Sequence, residues 1–326
     1  MDRMNTLASA VVPAPLTAQE LLDRFADDCS LRRMTPETIR SYVSNLRTIA
    51  VFLEGRNRSF LDLTSDDLKA ILSFALHDRG VRPKTIRAYF SALSCLCDFL
   101  VYEGLMGSNP VPPFRKRYLR DYKKRGPGSD GFERQLLTVE QMRDLIGGTL
   151  DPRDRAILMV LGKTGIRRDE LVRLDVDDID FATMTVRLKP HPKRTNLVLF
   201  IDDECARAIR AWLAVRRNYA LAPGCAALFV GEHGDRLRRQ GVYEVVTSRA
   251  RAAGLHDPSS RDPRRRLSPH AVRHWFTTWL RRNGMRREFI QELRGDVRGD
   301  AIDIYDHIDP EELRKAYLAC IPRLGL

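Results

Sequence analysis

Two stretches in the first third of the chain repeat one amphipathic pattern: Pro36-Glu-Thr-Ile-Arg-Ser-Tyr-Val-Ser-Asn-Leu46 returns as Pro83-Lys-Thr-Ile-Arg-Ala-Tyr-Phe-Ser-Ala-Leu93. Apolar residues recur at helical spacing in both, as Ile39, Val43, Leu46 and Leu53 and as Ile86, Phe90, Leu93 and Leu100, so each copy predicts a helix with one buried face. Proline suits the first helical position, where its missing N–H has no partner to lose. Thr17-Ala-Gln-Glu20 and Thr64-Ser-Asp-Asp67 have the form of capping boxes, whose side chains satisfy backbone N–H groups at a helix start. A four-helix unit is therefore expected.

The pattern changes further on. Thr138-Val-Glu-Gln141 opens another helix, and apolar stripes continue through Leu145 and from Ile157 to Leu161. Met184–Leu188 and Leu197–Ile201 have strand propensity around a proline-interrupted turn, which predicts a small β-hairpin. Helices follow near 203–219, 239–254, 268–283, 286–294 and 310–321. Between the halves runs Arg115, Lys116, Arg117, Arg120, Lys123, Lys124 and Arg125, broken by Gly126-Pro-Gly-Ser-Asp-Gly131. The expected division is a tail (1–15), a helical domain (16–114), a basic linker (115–135) and an α-rich domain with the small hairpin and a C-terminal helix (136–326).

Composition agrees with two folded domains, because 326 residues exceed what one core usually holds. The hydrophobic share of 43% with 30% charged residues is that of a soluble globular protein. A net charge of +12 favours a polyanionic partner, nucleic acid foremost. Candidate phosphate contacts are Arg40 and Arg87, which hold equivalent places in the repeats, and Lys116, Arg117, Lys123 and Lys124 of the basic run. The six cysteines form no CxxC pair, so zinc is not expected and the thiols read as buried ones in a reducing compartment. No segment approaches the roughly 20 apolar residues of a membrane span, which predicts a cytoplasmic protein without a membrane partner.

Two segments could carry chemistry. In Thr164-Gly-Ile-Arg-Arg-Asp-Glu-Leu171 one helix ends at the glycine and the next presents Arg167 at its start, with Glu170 one turn on. In the helix from Ser268 to Leu280, Val272, Trp275, Phe276, Trp279 and Leu280 form a core stripe while His270, Arg273 and His274 share another face. His270 and His274 have the spacing of a zinc helix, but Ala271 stands where HExxH has its glutamate, so no metal is expected.

In order and interval these boxes, together with Ala301-Ile-Asp-Ile-Tyr-Asp-His307, resemble those of the tyrosine recombinases of the phage-integrase family, and the resemblance covers residues 16–326. It implies a helical, SAM-like core-binding domain and an α-rich catalytic domain. Arg167 and Arg273 would bind the phosphate, His270 would move protons and touch the phosphate, and Tyr305 would be the nucleophile. His274 and Glu170 would support the site. The family's lysine on the hairpin turn corresponds to Lys189 or Lys193, with Lys189 favoured because it ends the first strand. Guanidinium forks suit a phosphorane-like transition state, so neither cofactor, metal nor ATP is implied.

The resemblance further implies double-stranded DNA with specific recombination sites, a 3′-phosphotyrosine intermediate, and a homotetramer on DNA, with the last helix docking on a neighbour. An accessory DNA-bending or directionality factor fits the same picture. Integration of a mobile element, viral genomes included, is the expected use. Dimer resolution, a non-catalytic DNA-binding relative and a type IB topoisomerase-like enzyme are the alternatives. The KPHPKRTN turn resembles archaeal plasmid and virus integrases. One position departs from the family: Asp296 replaces the usual histidine of Leu-Gly-His, nine residues before the tyrosine. A carboxylate cannot donate to a phosphate unless protonated, so Asp296 is expected to orient His270, Arg273 or Tyr305, to be held protonated, or to be a helix-end carboxylate with no part in catalysis.

Overall fold

Thr17 and Glu20 close a capping box at the start of α1 (Ala18–Leu31), and Thr64 and Asp67 close another at α3 (Ser65–Ser73). Between and after them lie the two repeats, α2 (Pro36–Glu54) and α4 (Pro83–Tyr102), each with proline in its first turn. The second repeat buries Ile86, Phe90, Leu93 and Leu100, and the first buries Leu46, Ile49 and Leu53 around Phe25 of α1. This computed structural model describes residues 16–120, 135–190, 194–219, 222–260, 262–296 and 308–326. Lys123, Lys124, Lys193 and Tyr305 lie outside the described residues.

A fifth helix, α5 (Val111–Tyr118), was not expected. The basic run read as linker from Arg115 begins inside it. Phe114 stacks on Phe90 with centroids 5.2 Å apart, which anchors the helix to the core. Arg115, Lys116 and Arg117 then occupy its last turn, where positive charge complements the helix dipole.

The chain divides into two units between Asp130 and Gly131. In the second, Thr138 and Gln141 cap α6 (Val139–Gly147), and α7 (Pro152–Thr164) is buried along most of its length. Gly165 ends α7 with φ of 59°, a left-handed conformation, and a Cβ there would strike the Phe276 ring. After α8 (Arg168–Val172) the hairpin gains a strand that the sequence did not announce. β1 (Ile179–Asp180), β2 (Thr185–Arg187) and β3 (Val198–Phe200) form an antiparallel sheet in that order, with Val186 opposite Leu199. Two residues of β1 are too few to show alternation, which is why it went unseen.

Among the described residues the remaining helices are α9 (Asp203–Arg216), α10 (Arg239–Ala252), α11 (Pro269–Arg282), α12 (Arg287–Arg294) and α13 (Pro310–Cys320). Helix α7 packs against α9 and α11 at the centre of this unit. The fold is thus mainly helical with one small sheet.

Helix α13 packs on its own unit. Leu313, Tyr317, Cys320, Ile321 and Leu324 join the core that holds Trp275 and Phe276. Buried polar contacts lock the segment there. The Lys163 ammonium, fully buried, lies 2.6 Å from Asp202 and 2.5 Å from Glu204 and donates to the Pro322 carbonyl at 2.7 Å. Glu204 accepts the backbone N–H groups of Leu324, Gly325 and Leu326, and the Tyr317 hydroxyl donates to the Lys163 carbonyl.

Candidate active site

Helix α12 ends in a left-handed glycine, Gly295, with φ of 59°. The Gly295 N–H reaches the Glu292 carbonyl and the Asp296 N–H reaches the Gln291 carbonyl, a tight C-cap that leaves the last carbonyls of the helix open to donors. Three guanidinium groups take up one of them. The Arg294 carbonyl accepts from Arg273 Nη2 at 2.9 Å, Arg194 Nη1 at 3.1 Å and Arg167 Nη1 at 3.3 Å. The partial negative charge of a helix C-terminus explains why cations gather there.

The Glu170 carboxylate, side chain 4% exposed, lies between two of these arginines. It is 3.0 Å from Arg167 Nη1 and 3.0 Å from Arg194 Nη1 and also accepts the Arg167 backbone N–H. Arg273 is buried, and its Nη1 donates to the Gly165 carbonyl. The Gly165–Phe276 contact therefore sets the position of a guanidinium as well as of a helix end. Burial, then repulsion from Arg167 and Arg294, pushes the Arg273 pKa down to about 9, against the opposing pull of Glu170 and Asp296. It remains a cation at neutral pH.

Arg167 and Arg273 open onto a cleft of about 290 Å³, also lined by Ile166, Arg168, Tyr243, Ser268, Pro269 and His270. Ser268 caps α11, and the two turns that follow carry exposed His270 and buried Arg273 on the cleft side. The sequence boxes around residues 167 and 270–273 therefore meet in one place. His274 is exposed one turn further on, with Nδ1 3.1 Å from the Thr278 hydroxyl. Asp296 reaches Arg167 Nη2 at 3.0 Å, Arg273 Nη2 at 3.6 Å and Arg294 Nε at 3.0 Å.

Lys189 follows β2, with Nζ 2.9 Å from Asp178 and 3.1 Å from Asp175. Hydrogen bonds to Asp178 and then Asp175 raise its pKa, so it stays protonated. In the first unit Arg40 and Arg87 are exposed, Arg40 with Glu37 at 3.3 Å, and Lys116 and Arg117 are exposed on α5.

Several partners were missed in the sequence. Arg194 looked like one more member of a basic turn, yet its side chain is fully buried and holds Glu170, the Leu293 carbonyl and the Arg294 carbonyl. A Cβ on residue 295 would strike it, so Gly295 is needed for close approach as well as for its backbone angle. Asp175 and Asp178 lay in the acidic run Asp175-Val-Asp-Asp178, a signal that was available beside the lysines.

Residues 135–312 match the phage integrase family, and residues 21–103 match the phage integrase N-terminal SAM-like domain. The chain is 30% identical over 307 residues to tyrosine recombinase XerC of Herpetosiphon aurantiacus, covering 91% of this chain and 93% of that one. It is 34% identical over 202 residues to tyrosine recombinase XerD of Bifidobacterium longum, covering 58% and 63%. Both relatives are Xer recombinases rather than the archaeal plasmid or virus integrases expected from the turn. Among solved structures, XerH bound to a palindromic difH substrate after cleavage superposes with a TM-score of 0.65 at 19% identity, over 92% of this chain and 83% of that one. A lambda integrase dimer on a COC′ core site gives 0.63 at 16% identity, over 90% and 81%.

Proposed function

The chain belongs to the phage integrase family of tyrosine recombinases, enzymes that break and rejoin DNA at specific sites, and on that premise we propose that Arg167 and Arg273 bind the scissile phosphate while Tyr305 attacks it. The carrying observation is the convergence of both guanidiniums with His270 on one open cleft. Tyrosine Oη bonds to phosphorus, the bond to the 5′ oxygen breaks, and the DNA 3′ end is left on the protein as a phosphotyrosine. The extra negative charge of the transition state falls on nonbridging oxygens, which paired guanidiniums stabilise as a metal ion would.

The leaving 5′ oxygen needs a proton. Lys189 is the donor in this reading, a cation held at the end of β2 by Asp178 and Asp175. His270 assists proton movement at the tyrosine, and Glu170 and Arg194 keep Arg167 in place. Exposed Arg40, Arg87, Lys116 and Arg117, with Lys123 and Lys124, contact the DNA backbone beyond the site. Attack of a partner strand's 5′ hydroxyl on the phosphotyrosine reverses the step without ATP. Four protomers on two duplexes complete the exchange, as two sequential strand swaps require.

Such exchange integrates a mobile element when the two sites lie on separate molecules and resolves a dimer when they repeat on one. A nicked substrate carrying the recombination site tests the chemistry. Wild type should accumulate a covalent protein–DNA adduct, and Arg167→Ala and Arg273→Ala should bind the duplex yet lose the adduct by a factor on the order of a hundred or more. Undiminished adduct in both variants would refute the assignment.

A further inference from the structure

Asp296 stands where the family commonly has a histidine, directly after the α12 cap at Gly295. Its backbone N–H is tied to the Gln291 carbonyl in the α12 cap, so the side chain starts from a fixed point. Its Oδ1 lies 3.0 Å from Arg167 and 3.6 Å from Arg273, the same two groups assigned above to the phosphate. Its Oδ2 lies 3.0 Å from Arg294 Nε without hydrogen-bond alignment. One carboxylate thus spans three guanidiniums, and it occupies a terminal nitrogen of Arg167, a residue that also lines the cleft.

Two anions cannot share these groups at full strength. A phosphate oxygen within hydrogen-bond reach of both arginines would sit beside the carboxylate, and like charges at such distances repel. The side chain is 30% exposed, so it has room to turn, and Arg294 offers it a charge to turn to.

We propose that Asp296 is an internal stand-in for the scissile phosphate. It holds the Arg167–Arg273 pair while no DNA is bound, and gives the pair up to the phosphate by withdrawing onto Arg294. The device keeps two converging guanidiniums neutralised and placed before substrate arrives. It also screens the site against anions that lack the rest of the DNA interface to drive the exchange. This inference rests on the reading that Arg167 and Arg273 form the phosphate site.

Binding of inorganic sulfate to the DNA-free full-length protein, followed calorimetrically at constant ionic strength, tests it. Sulfate is tetrahedral and keeps its charge near neutral pH. Asp296→Asn and Asp296→Ala should each bind sulfate at least tenfold more tightly than wild type at one added site, about 1.4 kcal/mol. Each variant's near-UV circular dichroism should match wild type, showing that the fold is kept. Equal affinity in folded variants would overturn the proposal, as would weaker binding, which would make Asp296 a brace that the arginines need. Adding Arg273→Gln to Asp296→Asn separates the two layers of the argument. Loss of the gained affinity locates the sulfate at the arginine pair. Retention would show that the phosphate-site reading itself has failed.

Discussion

Replacing Arg194 with alanine should cost this protein more stability than almost any other single change in the catalytic unit. The side chain is fully buried and donates to both Glu170 oxygens, at 3.0 and 3.2 Å. It also donates to the carbonyls of Asn196 at 2.6 Å, Leu293 at 3.0 Å and Arg294 at 3.1 Å. Alanine would leave the nearly buried Glu170 carboxylate with Arg167 as its remaining cation in this network, and would strip three carbonyls of a charged donor. Breaking one side of a buried ion pair typically costs about 3–5 kcal/mol. For a domain of this size 1 kcal/mol shifts the midpoint by about 2–4 °C, which gives a fall of roughly 6–20 °C. All three tryptophans, Trp212, Trp275 and Trp279, lie in the second unit, so tryptophan fluorescence during heating reads that unit selectively. Arg194→Lys keeps the charge but loses the fork and should fall between alanine and wild type. A midpoint within about 1 °C of wild type for the alanine variant would refute the reasoning, since it corresponds to well under 1 kcal/mol.

Other consequences are open to direct measurement. Lys189→Ala should slow cleavage of ordinary DNA by about 10²–10⁴, the usual worth of a general acid, and should recover on a substrate whose leaving 5′ oxygen is replaced by sulfur, which departs without a proton. No recovery would remove Lys189 from that role. Asp67 is held at a pKa of about 2 by its hydrogen bonds to Arg58 and then Thr64, against the desolvation that raises it. A depressed carboxylate stabilises above its unfolded pKa of about 3.9 and loses that contribution as pH falls through the folded value, so roughly 2 kcal/mol of first-unit stability should vanish between about pH 4 and 2. Far-UV circular dichroism should show this acid limb in wild type and a flatter one in Asp67→Asn. Cleavage should persist in EDTA, and the binding constant for DNA should fall steeply between about 50 and 200 mM salt. A metal requirement or a flat salt slope would contradict arginine-based catalysis on an extended phosphate interface.

The helices were legible in the sequence because capping boxes, proline starts and apolar stripes are local signals, and each names its own boundary. Thr17, Thr64 and Thr138 cap as their spacing implies. The extra strand Ile179–Asp180 was not legible, since two residues carry no period and its pairing with β2 is set by tertiary contact. Arg167, His270 and Arg273 were legible as chemistry from residue type and resemblance, and the fold brings them to one cleft. Arg194 was not, because nothing local separates a buried arginine from a solvated one in a basic turn. Its burial depends on a helix end 100 residues further along the chain, through its bond to the Arg294 carbonyl.

Tyr305 as the residue that carries the DNA has a rival in the cleft itself, because Tyr243 lines it and is 38% exposed. Trapping the covalent adduct on a nicked substrate, digesting the DNA to a short remnant and cleaving the protein with trypsin distinguishes the two by mass. Trypsin should release Tyr305 within residues 299–314 and Tyr243 within residues 240–249. The account predicts the nucleotide remnant on the first peptide, with Tyr305→Phe abolishing the adduct while duplex binding stays nearly unchanged, since one hydroxyl adds little to a large phosphate interface. A remnant on the Tyr243 peptide, or an adduct that survives in Tyr305→Phe, would contradict it.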